Sequence, residues 1–309
     1  MSEMNFDGRV AVVTGAGRGL GRAYAELLGR KGAKVVVNDP GFAIGGQGMD
    51  VGPADEVVAA IRAAGGEAVA CRESVATLEG GRAIVDAALS NFGKIDILIH
   101  NAGNTRRAPI REMSFEDYHA VLDVHLHGAF HVSQPAYRAM CDAGYGRIIL
   151  TSSIAGLYGE PGVLNYSVAK AGILGLTNVL AVEGADFGVK CNAILPAAIT
   201  RMADARDTSA FPPLEPERVA PAVAWLSHEA CSISGEMLIS LGGRIARAYV
   251  VETRGVYRDE WSVERVDEAV DAIRHDDDPL VFPVVPSGFA DHLMHSFEMV
   301  RTGAAAGCP

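Results

Sequence analysis

The fold is decided by the stretch RVAVVTGAGRGLGRAYAELLGRK, Arg9 to Lys31. An apolar, β-branched run ends at Thr14, a glycine-rich turn spans Thr14 to Gly21, and an amphipathic helical segment continues to about Lys31. A glycine turn placed between a strand and a helix lets the backbone approach a pyrophosphate, whose negative charge meets the helix N-terminus. A glycine cluster alone reads equally as a tight turn. Its position in the order strand, turn, helix is what points to a dinucleotide. Gly15, Arg18, Gly19, Leu20 and Gly21 are the expected contacts.

Outward from this unit the pattern repeats. Short apolar runs occur at KVVVND (Lys34 to Asp39), EAVAC (Glu67 to Cys71), KIDILIH (Lys94 to His100), RIILTS (Arg147 to Ser152), VKCNAIL (Val189 to Leu195) and EMLISL (Glu236 to Leu241). Helical patterns lie between them, near Asp55 to Ala64, Leu78 to Phe92, Phe115 to Cys141 and Tyr166 to Phe187. Continuous apolar strands suit a sheet buried on both faces, and strand–helix alternation implies right-handed βαβ crossovers. The expected fold is α/β: a Rossmann-type, doubly wound, seven-stranded parallel sheet with helices on both faces. It fills residues 1–243. The 66 residues of 244–309 are expected to pack on that domain or on a partner subunit and not to form an independent domain. The glycine-rich loop from Gly41 to Pro53 is longer than the usual βα connection.

Composition narrows the function classes. The 309 residues carry 27 Lys and Arg against 38 Asp and Glu, a formal net charge of −11. A chain this acidic, with no local basic patch, repels phosphate backbones, so no nucleic-acid partner is expected. The longest stretch without a charged residue, Val124 to Tyr137, has 14 residues. That is short of the roughly 18 of a membrane span. The N-terminus lacks the pattern of a signal peptide. Five scattered cysteines without a Cys-x-x-Cys pair read as reduced thiols, with no disulfide framework and no metal site, which suits a cytoplasmic setting.

Asp39 ends the second strand, 18 residues beyond Gly21, near the offset of the acid that binds an adenosine ribose. A carboxylate there accepts from both ribose hydroxyls and repels a 2′-phosphate, which favours NAD over NADP. Arg18 pulls the other way, since a basic side chain in the turn can reach a 2′-phosphate. The alternative is that Asp39 is an ordinary turn residue.

Tyr166 and Lys170 stand four residues apart, on one face of a helix. A free phenol titrates near about 10, and a neighbouring ammonium stabilises its phenolate, bringing it toward acid–base work near neutrality. Such a pair is common on ordinary helices. Ser153, just beyond the fifth strand, changes the reading: its hydroxyl stands at the carboxyl edge of a parallel sheet, where a substrate carbinol or carbonyl would bind.

With TGAGRGLG (Thr14 to Gly21), Asn101-Ala102-Gly103, Ser153, Tyr166 and Lys170 in this order and spacing, the chain resembles the short-chain dehydrogenases/reductases. The resemblance covers most of residues 8–243. It implies that Tyr166 is the general acid/base, that Lys170 lowers its pKa and binds the nicotinamide ribose, and that Ser153 orients the substrate oxygen. It also implies cofactor contacts from Asn101, Ala102 and Gly103, from Ser74 and Val75 at the adenine, and from Pro196, Ile199 and Thr200 near the nicotinamide. Where the family usually has Asn, this chain has His125, in VHLHGAF. A histidine can hold a water in the proton relay beyond Lys170, with a charge that depends on pH; the alternative is a packed helix histidine. His127 and His131 read as ordinary helix residues.

VVVNDPG, VHLHGAF, NYSVAKAG and CNAILPAAITRM narrow the likeness to the dehydrogenase units of type 2 multifunctional enzymes and their bacterial single-domain relatives. Those act on 3-hydroxyacyl-CoA thioesters or on the 17-hydroxyl of steroids. The implied activity is NAD-dependent interconversion of a secondary alcohol and a ketone, in a homodimer or homotetramer. The expected lid is Arg201 to Pro216. Arg106, Arg107 and Arg111 are either contacts for a CoA phosphate or solvated surface charges. A different class of reading, a non-catalytic dinucleotide-binding regulatory protein, is disfavoured by the presence of Ser153, Tyr166 and Lys170 together.

Overall fold

Seven parallel strands run as β1 (Val10–Thr14), β2 (Lys34–Asn38), β3 (Glu67–Cys71), β4 (Ile97–His100), β5 (Gly146–Thr151), β6 (Val189–Ala197) and β7 (Met237–Leu241). The computed structural model describes residues 4–41, 52–199 and 212–303. The strand order β3-β2-β1-β4-β5-β6-β7 reverses direction between β1 and β4, and a crevice opens at the carboxyl ends where such a reversal occurs. β1, β4 and β5 are buried along their whole length, as continuous apolar strands covered on both faces must be.

The sheet has eight strands, not the seven expected. β8 (Arg244–Ala248) follows β7 through Gly242 and Gly243, both at positive φ. A two-residue turn of this kind makes a hairpin, which needs residues free to adopt positive φ. The strand escapes an apolar-run reading because it is a charged, largely exposed edge, RIARA.

Local chemistry sets the helix boundaries. The helices of this unit are α1 (Gly19–Arg30), α2 (Gly52–Ala63), α3 (Leu78–Phe92), α4 (Phe115–Leu122), α5 (Gly128–Ala143), α6 (Ile154–Tyr158), α7 (Leu164–Gly184) and α8 (Ala220–Ser227). Thr77 caps α3 by accepting from Gly80 N–H at 3.1 Å, and Gly93 ends it in the left-handed conformation. Ser114 caps α4 in the same way. The long helix expected over Phe115 to Cys141 is broken by a π-helical turn, Asp123–His127, in which Gly128 N–H reaches back five residues to Asp123 C=O.

Val13, Val37, Ile99, Ile149 and Ile194 from five adjacent strands form the middle of the core. At the amino edge of the sheet, the Asp96 carboxylate accepts from Val10 N–H at 2.8 Å and pairs with Arg9 and Lys94, which ties β1 to the approach to β4.

The chain forms two compact units, Met1–Arg247 and Ala248–Pro309. In the second, α9 (Val263–Ile273) and α10 (Gly288–Thr302) accompany an antiparallel bridge between Glu252 and Leu280. Thr253 Oγ1 donates to Ile273 C=O at 2.6 Å, and the Phe282 ring meets His292 edge-on at 5.3 Å.

Candidate active site

The glycine turn is packed so tightly that only backbone can line it. A Cβ on Gly21 would lie 2.2 Å from Gly15 C=O, and one on Gly15 would lie 2.7 Å from Ala102 Cα. Gly15 and Gly19 also adopt positive φ. Asn101 braces the turn from β4, donating from Nδ2 to Thr14 C=O at 3.3 Å and Gly15 C=O at 3.1 Å. Thr14 Oγ1 accepts from the backbone N–H groups of Asn101 and Ala102, each at 3.1 Å. The Gly15 to Gly21 turn and the Asn101-Ala102-Gly103 turn are thereby one structure, although more than 80 residues separate them.

Asp39 is held by two backbone donors: Gly17 N–H to Oδ2 at 2.9 Å and Gly41 N–H to Oδ1 at 2.8 Å. Its carboxylate stands against the glycine turn, where a Cβ on Gly17 would come within 2.8 Å of Oδ2. A carboxylate oriented this way keeps lone pairs for two further donors. Ser74 Oγ accepts from Ala76 N–H, and Val75 is buried, its carbonyl accepting from His131 Nδ1 at 3.1 Å. An open backbone cradle, a fixed carboxylate beyond it and a braced second turn fit a nicotinamide dinucleotide.

At the carboxyl end of β5 a second group of side chains converges. Lys170 is 2% exposed, and its Nζ donates to Thr151 C=O at 2.5 Å. Burial pushes its pKa down to about 7. Its ammonium lies 5.5 Å from the centre of the Tyr166 ring. The His125 ring meets the Tyr166 ring edge-on, with centroids 5.2 Å apart. Ser153 caps α6, its Oγ accepting from Ala155 N–H at 3.1 Å. The preceding residue anchors this end of β5 to α7, since Ser152 Oγ donates to Lys170 C=O at 2.7 Å.

His125 lies in the π-helical turn and is 2% exposed. Its Nε2 lies 3.1 Å from Asn104 N and 2.9 Å from Asn104 O, while its Nδ1 is buried without a hydrogen-bond partner among the described residues. Burial, and then the charge of Lys170, hold its pKa well below the ordinary histidine value. The pH at which His125 would take up a proton is thereby lowered, because a second positive charge beside Lys170 in a buried site is disfavoured.

His127 pairs with Asp123 on the surface at 2.9 Å. Arg106 pairs with Asp117 at 3.2 Å and Arg107 with Glu160 at 3.4 Å. Tyr158 is 80% exposed at the end of α6. Pro196 lies in β6, and Ile199 N–H donates to Leu214 C=O at 2.8 Å. Thr200 and most of the expected lid, residues 201–211, lie outside the described residues, as do residues 42–51 of the glycine-rich loop.

Sequence reasoning missed Asn165. It is fully buried and donates from Nδ2 to Arg106 C=O at 3.1 Å and Asp117 C=O at 3.0 Å, fixing the start of α7 one residue before Tyr166. Its place beside Tyr166 was the only signal, because both of its partners are distant in the chain.

The family described as short chain dehydrogenase matches residues 9–210. The chain is 45% identical over 254 residues to the peroxisomal multifunctional enzyme type 2 of Drosophila melanogaster, covering 82% of this chain but 42% of that protein. It is 44% identical over 253 residues to a protein named as a short-chain type dehydrogenase/reductase in Mycobacterium tuberculosis, covering 82% of this chain and 88% of that one. Among solved structures, full-length Drosophila multifunctional enzyme type 2 superposes with a TM-score of 0.81 at 35% identity, over 98% of this chain and 51% of that one. The chain thus spans less than half the length of the curated multifunctional relative.

Proposed function

The chain belongs to the short-chain dehydrogenase family, an oxidoreductase acting on CH–OH groups with a nicotinamide dinucleotide, and we propose that it uses NAD to interconvert a 3-hydroxyacyl-CoA and its 3-keto form. The observation that carries the reading is the convergence of Tyr166, Lys170 and His125 at the carboxyl edge of the sheet, on the side of the braced glycine turn. The 45% identity to a type 2 multifunctional enzyme supports the acyl-CoA class. The preset carboxylate of Asp39 supports NAD. The extension beyond residue 243 serves the same unit or a partner subunit, in a cytoplasmic homo-oligomer.

When bound, the dinucleotide supplies the hydride acceptor; the protein supplies position and proton management. Ser153 Oγ holds the substrate oxygen. Tyr166 takes the hydroxyl proton as the carbonyl forms. Lys170, in its protonated form and shielded from solvent, favours the phenolate by direct electrostatics. His125, with its ring edge-on to Tyr166 and its Nδ1 buried without a hydrogen-bond partner among the described residues, positions the phenol from behind.

The test is the initial rate of NAD and NADP reduction with a 3-hydroxyacyl-CoA series and a 17-hydroxysteroid, beside Tyr166→Phe. The reading expects turnover with NAD and the thioesters, and a fall of about 10²–10⁴-fold in the variant, the usual worth of general acid–base catalysis. Faster turnover of the steroid would transfer the assignment to that class. Activity retained by Tyr166→Phe would overturn the mechanism.

A further inference from the structure

One buried histidine is left unused by this chemistry. His100 closes β4, is fully buried, and is the lone polar residue of an otherwise apolar strand, ILIH. Its Nδ1 lies 3.2 Å from Thr14 Oγ1. A threonine hydroxyl has one proton and two lone pairs. Both lone pairs of Thr14 are used by the N–H groups of Asn101 and Ala102. Its proton therefore goes to the remaining neighbour, His100 Nδ1. This makes Nδ1 an acceptor and leaves the ring as the neutral Nε2–H tautomer. The other tautomer, or the imidazolium, would set an N–H against an oxygen with no lone pair to give.

The ring also lies beside the backbone carbonyls of Val124 and His125, and its Nε2 makes no hydrogen bond among the described residues. Those carbonyls belong to the π-helical turn, where the wider winding loosens the regular pairing of C=O groups. One side of His100 thus holds the hydroxyl that joins the two cofactor turns, and the other faces the element carrying His125.

We propose that His100 is a positioning residue for the dinucleotide: as the Nε2–H imidazole it takes the Thr14 hydroxyl proton and so keeps the glycine turn and the Asn101-Ala102 turn in one cradle. The proposal rests on the cofactor reading given above. It also explains why a polar residue occupies a strand position that burial alone would give to valine or isoleucine.

Two measurements test it separately. Long-range ¹H–¹⁵N correlation on histidine-labelled protein at pH 7 should show His100 as the Nε2–H tautomer in the wild type and lose that signature in Thr14→Val. An Nδ1–H or doubly protonated ring would overturn the link, whatever the protein binds. NADH titration by fluorescence should show His100→Phe binding about tenfold more weakly, the scale of a lost buried hydrogen bond. His100→Asn, which returns an acceptor and a donor, should bind within about twofold of wild type. The double variant Thr14→Val/His100→Phe should be no weaker than Thr14→Val alone, because the two residues act as one link. Wild-type affinity in a folded His100→Phe would defeat the proposal. If His100→Phe does not fold, loss of affinity in His100→Asn relative to wild type would count against it equally. Failure of the wild type to bind either dinucleotide would remove the cofactor reading, and this role with it.

Discussion

Gly103 is pressed against His125: a Cβ on Gly103 would lie 2.5 Å from the imidazole Cε1 and 3.1 Å from Nε2. The φ of Gly103 is not positive, so the need for glycine is one of space alone. The next residue, Asn104, holds the same ring at Nε2. The turn that faces the cofactor and the histidine behind Lys170 are therefore in direct contact.

Gly103→Ala should push His125 off its position without breaking the sheet. Overpacking of this kind costs about 1–3 kcal/mol, and the expected result is a melting temperature lower by several degrees with kcat reduced by about tenfold. Thermal melting and steady-state kinetics check it. Wild-type kcat in the variant would show that the ring has room to move.

Lys170 gives stability a defined dependence on pH. Burial lowers its pKa from 10.5 to about 7, so between those values the unfolded chain holds a proton that the folded chain has released. Stability then rises with pH across that window, and the full cost of the buried charge remains below pH 7. Denaturant unfolding of the cofactor-free protein at pH 7, 8 and 9 should show this rise, and Lys170→Met should flatten it. Equal slopes in the two proteins would contradict the assignment.

His100 and His125 act in the same direction at lower pH. Burial lowers the first to about 3, and burial with the charge of Lys170 lowers the second well below its ordinary value. Each is neutral in the fold and takes up a proton on unfolding as pH falls through the ordinary histidine value, so stability is lost from about pH 6.5 downward. His125→Asn should weaken this acid sensitivity, as read from melting temperatures between pH 7 and 5.

Asp39→Ser should change cofactor choice more than overall fold. Removing the carboxylate takes away the acceptor for ribose hydroxyls and the repulsion toward a 2′-phosphate. The ratio of kcat/KM for NAD to that for NADP should fall by roughly a hundredfold, the scale of a like-charge contact worth several kcal/mol. An unchanged ratio would leave Arg18 as the determinant.

One face of α7 is exposed where a core helix would be covered. Val168, Val179 and Val182 are 37%, 54% and 46% exposed, and Gly175, on the same face, has open space beyond its Cα. The expected homo-oligomer would cover this stripe, as apolar surface is covered in obligate interfaces. Sedimentation velocity of Val179→Glu/Val182→Glu should give a smaller species than wild type. An unchanged mass would place the interface elsewhere.

Much of the fold is legible in the chain because its signals are local. β3 and α3 follow the expected bounds, the first from an apolar run and the second from the Thr77 cap and the Gly93 stop. The π-helical turn escaped notice because it adds only one residue to a helical period, too small a change to read in VLDVHLHGAF. β8 escaped because an exposed edge strand has no apolar pattern to show.

The sequence by itself determined the alternation of strands and helices, the place of the glycine turn, and the spacing of Ser153, Tyr166 and Lys170. These depend on neighbours within a few residues. Only the tertiary structure decided the charge states and the tautomer. The pKa of Lys170 is brought down to about 7 by burial, that of His125 is held low by burial and then by the charge of Lys170, and the His100 tautomer is set by a hydroxyl 86 residues away. Desolvation and hydrogen bonding act through space, and the chain brings those groups together only when the sheet closes.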